Sequence, residues 1–249
     1  MIGTIALREL RSLFLSPLAW SILAVVQVIL GFLFLGRIEL VQMYQSQLLA
    51  MENAPGITEI IVPDLLGYTA LILLLVVPLL TMRLVAEERR NRTLSLLFSA
   101  PISLSEIVLG KYLGILLFLM ILLALIALMP LSLLAGGSID FGLFASGFLG
   151  LALLLASFAS VGLYMSTLTQ HPTVAAIATF GALLLFWVLD WSGQGIGGGN
   201  VLAYLSLFNH YKPFLDGLFD TADAMYHALL IATFLVLSVR HLDAERMGA

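Results

Sequence analysis

The residues best suited to chemistry in this sequence form a charged island at residues 82–114, between two long apolar stretches. Around a short apolar patch it carries five basic residues (Arg83, Arg89, Arg90, Arg92, Lys111) and three acidic residues (Glu87, Glu88, Glu106). So many charges are too costly to place in hydrocarbon, whereas the apolar stretches on both sides keep the island close to it. We therefore expect a charged surface just outside a bilayer, offered to a cytosolic partner.

The middle of the island predicts a short helix between two turns. Leu94, Leu97 and Phe98 have helical spacing, and Pro101 cannot continue a helix. Ser103 then precedes Glu106 by three residues, which is the arrangement of a capping box, so a new helix should begin there. A short cytosolic helix held between two membrane helices could act as a lever on both. The alternative is a plain loop whose arginines only set topology.

No part of the sequence carries a pattern of residues typical of a catalytic site. The glycine-rich run at 193–200 lacks the Lys-Ser/Thr ending of a phosphate-binding loop and is interpreted as a flexible outer loop. The chain has no cysteine, which removes disulfides, thiolate metal sites and cysteine nucleophiles. The histidines lie on separate segments without metal-ligand spacing (His171, His210, His227, His241). We expect no enzymatic activity, cofactor or metal in this chain.

Composition explains what must position the island. Hydrophobic residues make up 61% of the 249 residues and charged residues only 10%, with a mean hydropathy of +1.09, so we predict an all-α integral membrane protein with one transmembrane domain over 1–249. Gly150 and Gly162 are candidates for close helix approach. Six spans are predicted, at 18–36, 65–84, 107–134, 144–165, 174–189 and 225–239.

The N-terminal segment and the basic residues predict the orientation. Apolar residues of segment 1–16 favour one helical face while Arg8, Glu9 and Arg11 fall elsewhere, as in a helix lying in the membrane interface, and Pro17 marks the turn into the first span. With the N-terminus in the cytosol, nine of the eleven Lys and Arg residues lie inside and only Arg37 and Lys212 outside. Both termini are therefore predicted to be cytoplasmic.

The last outer loop carries an aromatic belt. Phe208, Tyr211, Phe214 and Phe219 accompany Lys212 and Asp216, and we interpret these rings as anchors in the membrane interface. His210 is interpreted in the same way, as an interfacial polar residue.

Three separated blocks of this chain resemble permeases of the type-2 class of ATP-binding-cassette exporters. AEERRNRTLSLLFSAPISLSEIVLGKYLG is similar to their pattern between spans two and three, although Arg92 stands where many relatives have glycine. RELRSLFLSPLAW and SLFNHYKPFLDGLFDTADAMYHALLIATFLVLSVRHLDAER resemble the corresponding segments of the branch that contains the gliding-motility permease and the permease of the nitrous-oxide-reductase maturation exporter.

The resemblance implies a six-span subunit that dimerises and sits on two copies of a separate cytosolic ATPase, which would bind ATP and Mg. It further implies an interfacial N-terminal helix and a coupling helix near 93–100, in the inner membrane of a bacterium. A periplasmic accessory protein is a further possible partner. The residues expected to couple to the ATPase are Glu87, Glu88, Arg89, Arg92, Thr93, Leu94, Leu96, Leu97, Ser99 and Pro101.

Two other functions stay open on sequence grounds. A secondary transporter or channel working without ATP usually places ionisable groups within its spans, whereas here Arg37, Asp64 and Asp190 lie at span ends. A passive membrane scaffold for a periplasmic maturation complex is the second alternative. The cargo is not defined by the sequence: a lipid-like molecule, a polypeptide and a small inorganic or sulfur species are all open.

Overall fold

The computed structural model describes residues 1–44, 56–93, 102–135, 139–192 and 204–248, which are almost entirely helical and contain no strand. Six of the helices are long and apolar enough to cross a membrane, which confirms the prediction of an all-α, six-span membrane protein. In the described residues the helices are α1 (Ile2–Leu15), α2 (Pro17–Met43), α3 (Ile57–Thr81), α4 (Ala86–Arg90), α5 (Leu104–Leu131), α6 (Phe141–Leu168), α7 (Pro172–Ser192), α8 (Leu207–Leu215) and α9 (Thr221–Gly248).

Local sequence signals set several helix starts. Pro17 occupies the first turn of α2, where its missing N–H costs no helical hydrogen bond, and separates α2 from α1 as predicted. Ser103 caps α5: its hydroxyl accepts a hydrogen bond from the Glu106 N–H, and the Glu106 carboxylate accepts one from the Ser103 N–H, which confirms the predicted capping box. The Asp140 carboxylate caps α6 by accepting from the Gly142 and Leu143 N–H groups.

The spanning helices extend beyond the apolar runs from which they were predicted. The first run was expected to end at residue 36, yet α2 continues through Arg37 to Met43, and α3 begins at Ile57 rather than at residue 65. Hydropathy detects only the part of a helix that suits hydrocarbon, whereas the backbone stays helical into the polar interface. After α5 the chain tightens into a 3-10 turn at Ser132–Ala135.

Helix α6 forms the centre of the bundle. Leu151, Leu154 and Phe158 on this helix are completely buried, and α6 packs against α3, α5, α7, α8 and α9. A Cβ added at Gly162 would collide with Thr81, and one added at Gly150 would collide with Phe214. These glycines therefore allow close helix approach, as predicted.

The two ends of the bundle differ in composition. One, here called the charged end, contains α1, α4, the start of α5 and the last turns of α9, which meet through ion pairs described below. The other, here called the opposite end, contains α8 and the start of α9. The predicted short helix at 93–98 and the glycine-rich run at 193–200 lie outside the described residues, except for Thr93.

Candidate functional site

The charged end presents the approach to the predicted coupling segment. Helix α4 carries Glu87, Glu88 and Arg89, and Arg92 and Thr93 follow its C-cap residue, Asn91. The Thr93 N–H and hydroxyl both donate to the Glu88 carbonyl, at 2.9 and 3.2 Å, so Thr93 closes the end of this short helix. Five of the ten predicted coupling residues are therefore described. The remaining five, Leu94, Leu96, Leu97, Ser99 and Pro101, lie outside the described residues.

A single serine of α6 fixes the turn that leads into α4. The Ser166 hydroxyl oxygen accepts hydrogen bonds from the Val85 and Ala86 N–H groups, both at 3.1 Å, and donates to the Met82 carbonyl at the same distance. Ser166 is fully buried, so these bonds satisfy backbone groups that water cannot reach. The start of α4 is thereby tied to the central helix of the bundle.

A buried lysine joins three helices at this end. The Lys111 ammonium of α5 lies 2.7 Å from a Glu88 carboxylate oxygen of α4 and 3.0 Å from a Glu9 carboxylate oxygen of α1. Only 1% of Lys111 is exposed. Arg8 adds a second cation, at 3.0 Å from Glu9 and 3.6 Å from Glu88. Two cations therefore balance two carboxylates, which is what a buried charge cluster requires.

The electrostatics of Glu9 reflect this pairing. Burial of the carboxylate favours the neutral acid, but the Lys111 ammonium and the Arg8 guanidinium outweigh burial and hold the pKa of Glu9 below its ordinary value of 4.5. Glu9 is therefore ionised at neutral pH and faces α5. The sequence pattern placed Glu9 off the apolar face of α1 with Arg8 and Arg11, but gave no sign that it pairs with a buried cation on another helix.

Two glycines one turn apart allow α1 to approach α5 this closely. A Cβ on Gly110 would lie 2.7 Å from the Ile5 side chain, and one on Gly114 would lie 2.6 Å from Glu9 Cβ and 3.0 Å from the Ala6 carbonyl oxygen. Residues four apart share one helix face, so the pair forms a groove for α1. The groove brings the Glu9 carboxylate within reach of Lys111.

The end of the chain is also tied to α4. Arg89 forms an ion pair with Glu245 near the C-terminal end of α9. Arg92 adopts a φ of 56°, the left-handed region that favours glycine and costs other residues about 1 kcal/mol. A glycine at this position would adopt the same conformation without that cost.

The structure thus brings Glu88 and Arg89 into ion pairs with other helices, while Glu87 faces a cavity beside them. Sequence reasoning missed the partners of these residues: Glu9, Ser166 and Glu245, and the paired state of Lys111. The i, i+4 spacing of Gly110 and Gly114 is a local signal that could have indicated a helix contact beside Lys111.

The opposite end corrects the interpretation of the aromatic belt. Tyr211 and Phe214 are completely buried; the Tyr211 hydroxyl donates to the Leu66 carbonyl at 3.3 Å, and Phe214 covers Gly150. Two of the four rings therefore pack inside the protein instead of anchoring it in the interface. His210 is buried as well, with its Nδ1 2.6 Å from an Asp223 carboxylate oxygen and its Nε2 2.8 Å from the Tyr204 carbonyl oxygen.

Among the described residues, no group of three or more His, Asp or Glu side chains has the geometry of a metal site.

The six spanning helices and the charged end together define a multi-pass membrane protein. Residues 4–239 match the family described as ABC-2 family transporter protein, and the chain belongs to this family. It is accordingly a transmembrane permease of an ATP-binding-cassette transporter, and the ATPase activity of such a transporter lies in a partner. No curated protein is similar enough in sequence to count as a relative.

Proposed function

We propose that this permease couples ATP hydrolysis by a separate cytosolic ATPase to the movement of cargo across or out of the inner membrane of a bacterium. In this proposal the charged end faces the cytosol, as the distribution of nine of eleven Lys and Arg residues favours. Two copies of the chain form a dimer on two copies of the ATPase. ATP and Mg are bound by that partner.

The observation that carries the proposal is the bracing of α4. This five-residue helix leads directly into the predicted coupling segment and is tied to four other helices: to α1 and α5 through Lys111, to α6 through Ser166, and to α9 through Arg89. A force applied to the segment after Thr93 therefore reaches most of the bundle through direct contacts. A loop that only sets topology has no need of such bracing.

The bracing also divides the predicted coupling residues by role. Glu88 and Arg89 use their charges on helices of the same chain, so we assign them to holding the approach rigid. The residues after the approach, Leu94, Leu96, Leu97, Ser99 and Pro101, are assigned to contact with the ATPase. Arg92 and Thr93 set the direction in which that segment leaves α4.

We place the chain in the branch of the gliding-motility and nitrous-oxide-reductase maturation permeases. The support is the resemblance of the three sequence blocks, which lie in the expected order. A periplasmic accessory protein is a further partner in this proposal.

The decisive experiment uses the absence of cysteine from the sequence. A single cysteine is introduced by Leu96→Cys, the variant is co-expressed with a candidate partner ATPase, and labelling and crosslinking are measured with and without ATP. We expect labelling from the cytosolic side and a crosslink whose yield changes with ATP. Phe219→Cys is the matched control: it is exposed at the opposite end and should be labelled only from outside, without a crosslink.

The two alternatives give different results in the same experiment. A labelled but uncrosslinked Leu96→Cys would favour an ATP-independent transporter or a scaffold. A cysteine labelled only from outside would overturn the orientation. For a scaffold, changes in the coupling segment should also leave the ATPase activity of the partner unchanged.

A further inference from the structure

A cavity of about 580 Å³ lies beside the buried lysine at the charged end. Its walls are α1, the last turn of α3, and the turn and short helix that follow. Leu13, Leu80 and Leu84 form an apolar side, and Ser12 and Ser16 add hydroxyls. Its charged lining consists of Arg8, Glu9, Arg83, Glu87, Glu88 and Lys111.

Four of these six charges are already used within the protein. Arg8, Lys111, Glu9 and Glu88 form the network described above. Arg83 and Glu87 have no oppositely charged partner among the residues that the structure describes; the Arg83 guanidinium donates a hydrogen bond to the Ser16 hydroxyl at 3.3 Å. Both side chains are half-buried. The cavity therefore contains one cation and one carboxylate available to a ligand.

The location restricts what that ligand can be. The cavity lies beside Leu80 in the last turn of the spanning helix α3 and beside Arg83 just after it, and the end of a span is where lipid headgroups meet a membrane protein. A guanidinium recognises phosphate through paired N–H donors, and a carboxylate suits a primary ammonium. The lining carries three cations and three carboxylates, so its formal charge is zero. A neutral zwitterion fits this balance better than an anion does, because a lining without net charge gives an anion no net attraction to offset the cost of removing it from water.

We propose that this cavity binds the headgroup of a zwitterionic phospholipid with a primary ammonium, phosphatidylethanolamine. The phosphate lies against Arg83 and Ser16, the ammonium lies against Glu87, and the acyl chains leave along the apolar side formed by Leu13, Leu80 and Leu84. The bound lipid then fills the space between α1 and the approach to the coupling segment. This inference concerns the permease alone and does not depend on its coupling to an ATPase.

The test measures lipid binding to the purified full-length permease in detergent, by native mass spectrometry, with phosphatidylethanolamine and phosphatidylglycerol as probes. We expect phosphatidylethanolamine to bind more tightly. Arg83→Gln should weaken its binding about tenfold, the loss that one charge-assisted contact gives. Arg83→Lys keeps the charge but loses the paired donors, so its affinity for phosphatidylethanolamine should lie between those of the unmodified protein and Arg83→Gln. Arg90→Gln is the matched control, because Arg90 is exposed at the same end and does not line the cavity.

Glu87→Gln tests the ammonium half of the site. We expect this variant to bind phosphatidylethanolamine and phosphatidylglycerol equally, because it lacks the Glu87 carboxylate that would contact the ammonium of phosphatidylethanolamine. It also serves as a second variant if Arg83→Gln does not fold, since Glu87 makes no ion pair among the described residues.

Three results would overturn the proposal. One is equal binding of the two lipids by the unmodified protein, and another is equal weakening by Arg83→Gln and Arg90→Gln. The third is displacement of the lipid by inorganic phosphate or phosphoethanolamine at the same concentration as the lipid, which would assign the cavity to a free solute. The ATPase is absent from all of these measurements, so failure here leaves the crosslinking test of the proposed function unaffected.

Discussion

The two ends of this permease hold their helices together by different means. At the charged end, Lys111 reaches Glu9, 102 positions away in the chain, and Glu88, 23 positions away. At the opposite end, His210 pairs with Asp223, only 13 positions away, and links α8 to the start of α9. The buried ion pairs at the charged end join helices from distant parts of the chain, whereas the His210–Asp223 pair joins two helices that follow one another in sequence.

Apolar burial contributes more at the opposite end than at the charged end. Helix α8 is held mainly by burial of Tyr211 and Phe214, which are completely inaccessible, so its polar pair is an addition to an apolar contact. Helix α4 has only five residues, of which only Ala86 is buried, so its position depends on polar bonds to Lys111, Ser166 and Glu245. Loss of one polar group should therefore have larger consequences at the charged end.

The strongest test of this comparison is Lys111→Met. Removal of the ammonium leaves the Glu9 and Glu88 carboxylates in a buried site with Arg8 as their remaining cation, and breaking a buried ion pair in this way costs about 3–5 kcal/mol. We expect this loss in the free energy of unfolding, measured by denaturation in mixed micelles. Lys212→Met is the matched control at the opposite end, where the lysine is exposed, and should change stability little.

If uncompensated charge causes the instability of Lys111→Met, removing the carboxylates should restore its stability. Adding Glu9→Gln and Glu88→Gln to Lys111→Met removes the uncompensated carboxylates while keeping the side-chain volumes, so most of the stability should return. A triple variant as unstable as Lys111→Met would mean that the lysine acts through packing of its alkyl chain, and would contradict the electrostatic account.

Gly114→Ala tests whether the close approach of α1 is needed for the network. The added methyl group would lie 2.6 Å from Glu9 Cβ, so α1 must shift away from α5, at a cost of about 1–3 kcal/mol. The expected result is lower stability together with increased labelling of a cysteine introduced by Ala6→Cys, which is buried. Gly181→Ala, where an added Cβ meets nothing within 4 Å, is the control and should leave both measurements unchanged.

These contacts show what the sequence could predict. The six long helices followed from apolar runs, and the start of α5 followed from Ser103 and Glu106, because both signals are local. The pairing of Glu9 with Lys111 has no local signal, since two charges far apart in sequence look like two solvated groups until the fold joins them. The spacing of Gly110 and Gly114 is a local signal of a helix contact that the sequence analysis did not use, and it would not have identified the partner helix.

The interpretation of the aromatic belt as an interface anchor was wrong for a related reason. Hydrophobic rings near a span end indicate that something apolar covers them, and lipid and protein satisfy this requirement equally well. Tyr211 and Phe214 are covered by protein because Gly150 of α6 leaves room for the Phe214 ring and the Leu66 carbonyl accepts from the Tyr211 hydroxyl. Neither partner could be identified from the sequence of the loop.

Asp223→Asn measures the contribution of the polar pair at the opposite end. We expect a loss of about 1.5–3 kcal/mol in the free energy of unfolding, the usual scale for one hydrogen bond involving a charged group. The effect should stay local: a cysteine introduced by Leu207→Cys, which is buried in α8, should label faster, whereas the Ala6→Cys labelling at the charged end should not change. Asp216→Asn, at an exposed position after α8, is the control. Faster labelling at both ends would contradict the separation of the two regions.

The smallest expected effect is a pH dependence at the charged end. Lys111 and Arg8 hold the pKa of Glu9 below its ordinary value of 4.5, against the effect of burial, so folding favours the ionised carboxylate. The stability that Glu9 contributes is therefore complete above pH 4.5 and is lost as the pH falls through the lowered pKa. In denaturation measured from neutral pH down to about pH 3, the unmodified protein should be more stable than Glu9→Gln near neutrality, and their free energies of unfolding should converge in acid.

Glu39→Gln, at an exposed position of α2, is the control, and its free energy of unfolding should equal that of the unmodified protein at every pH. A difference between the unmodified protein and Glu9→Gln that persisted in acid would mean that Glu9 stabilises α1 through its shape, and the charge network at this end would then depend on Glu88 alone.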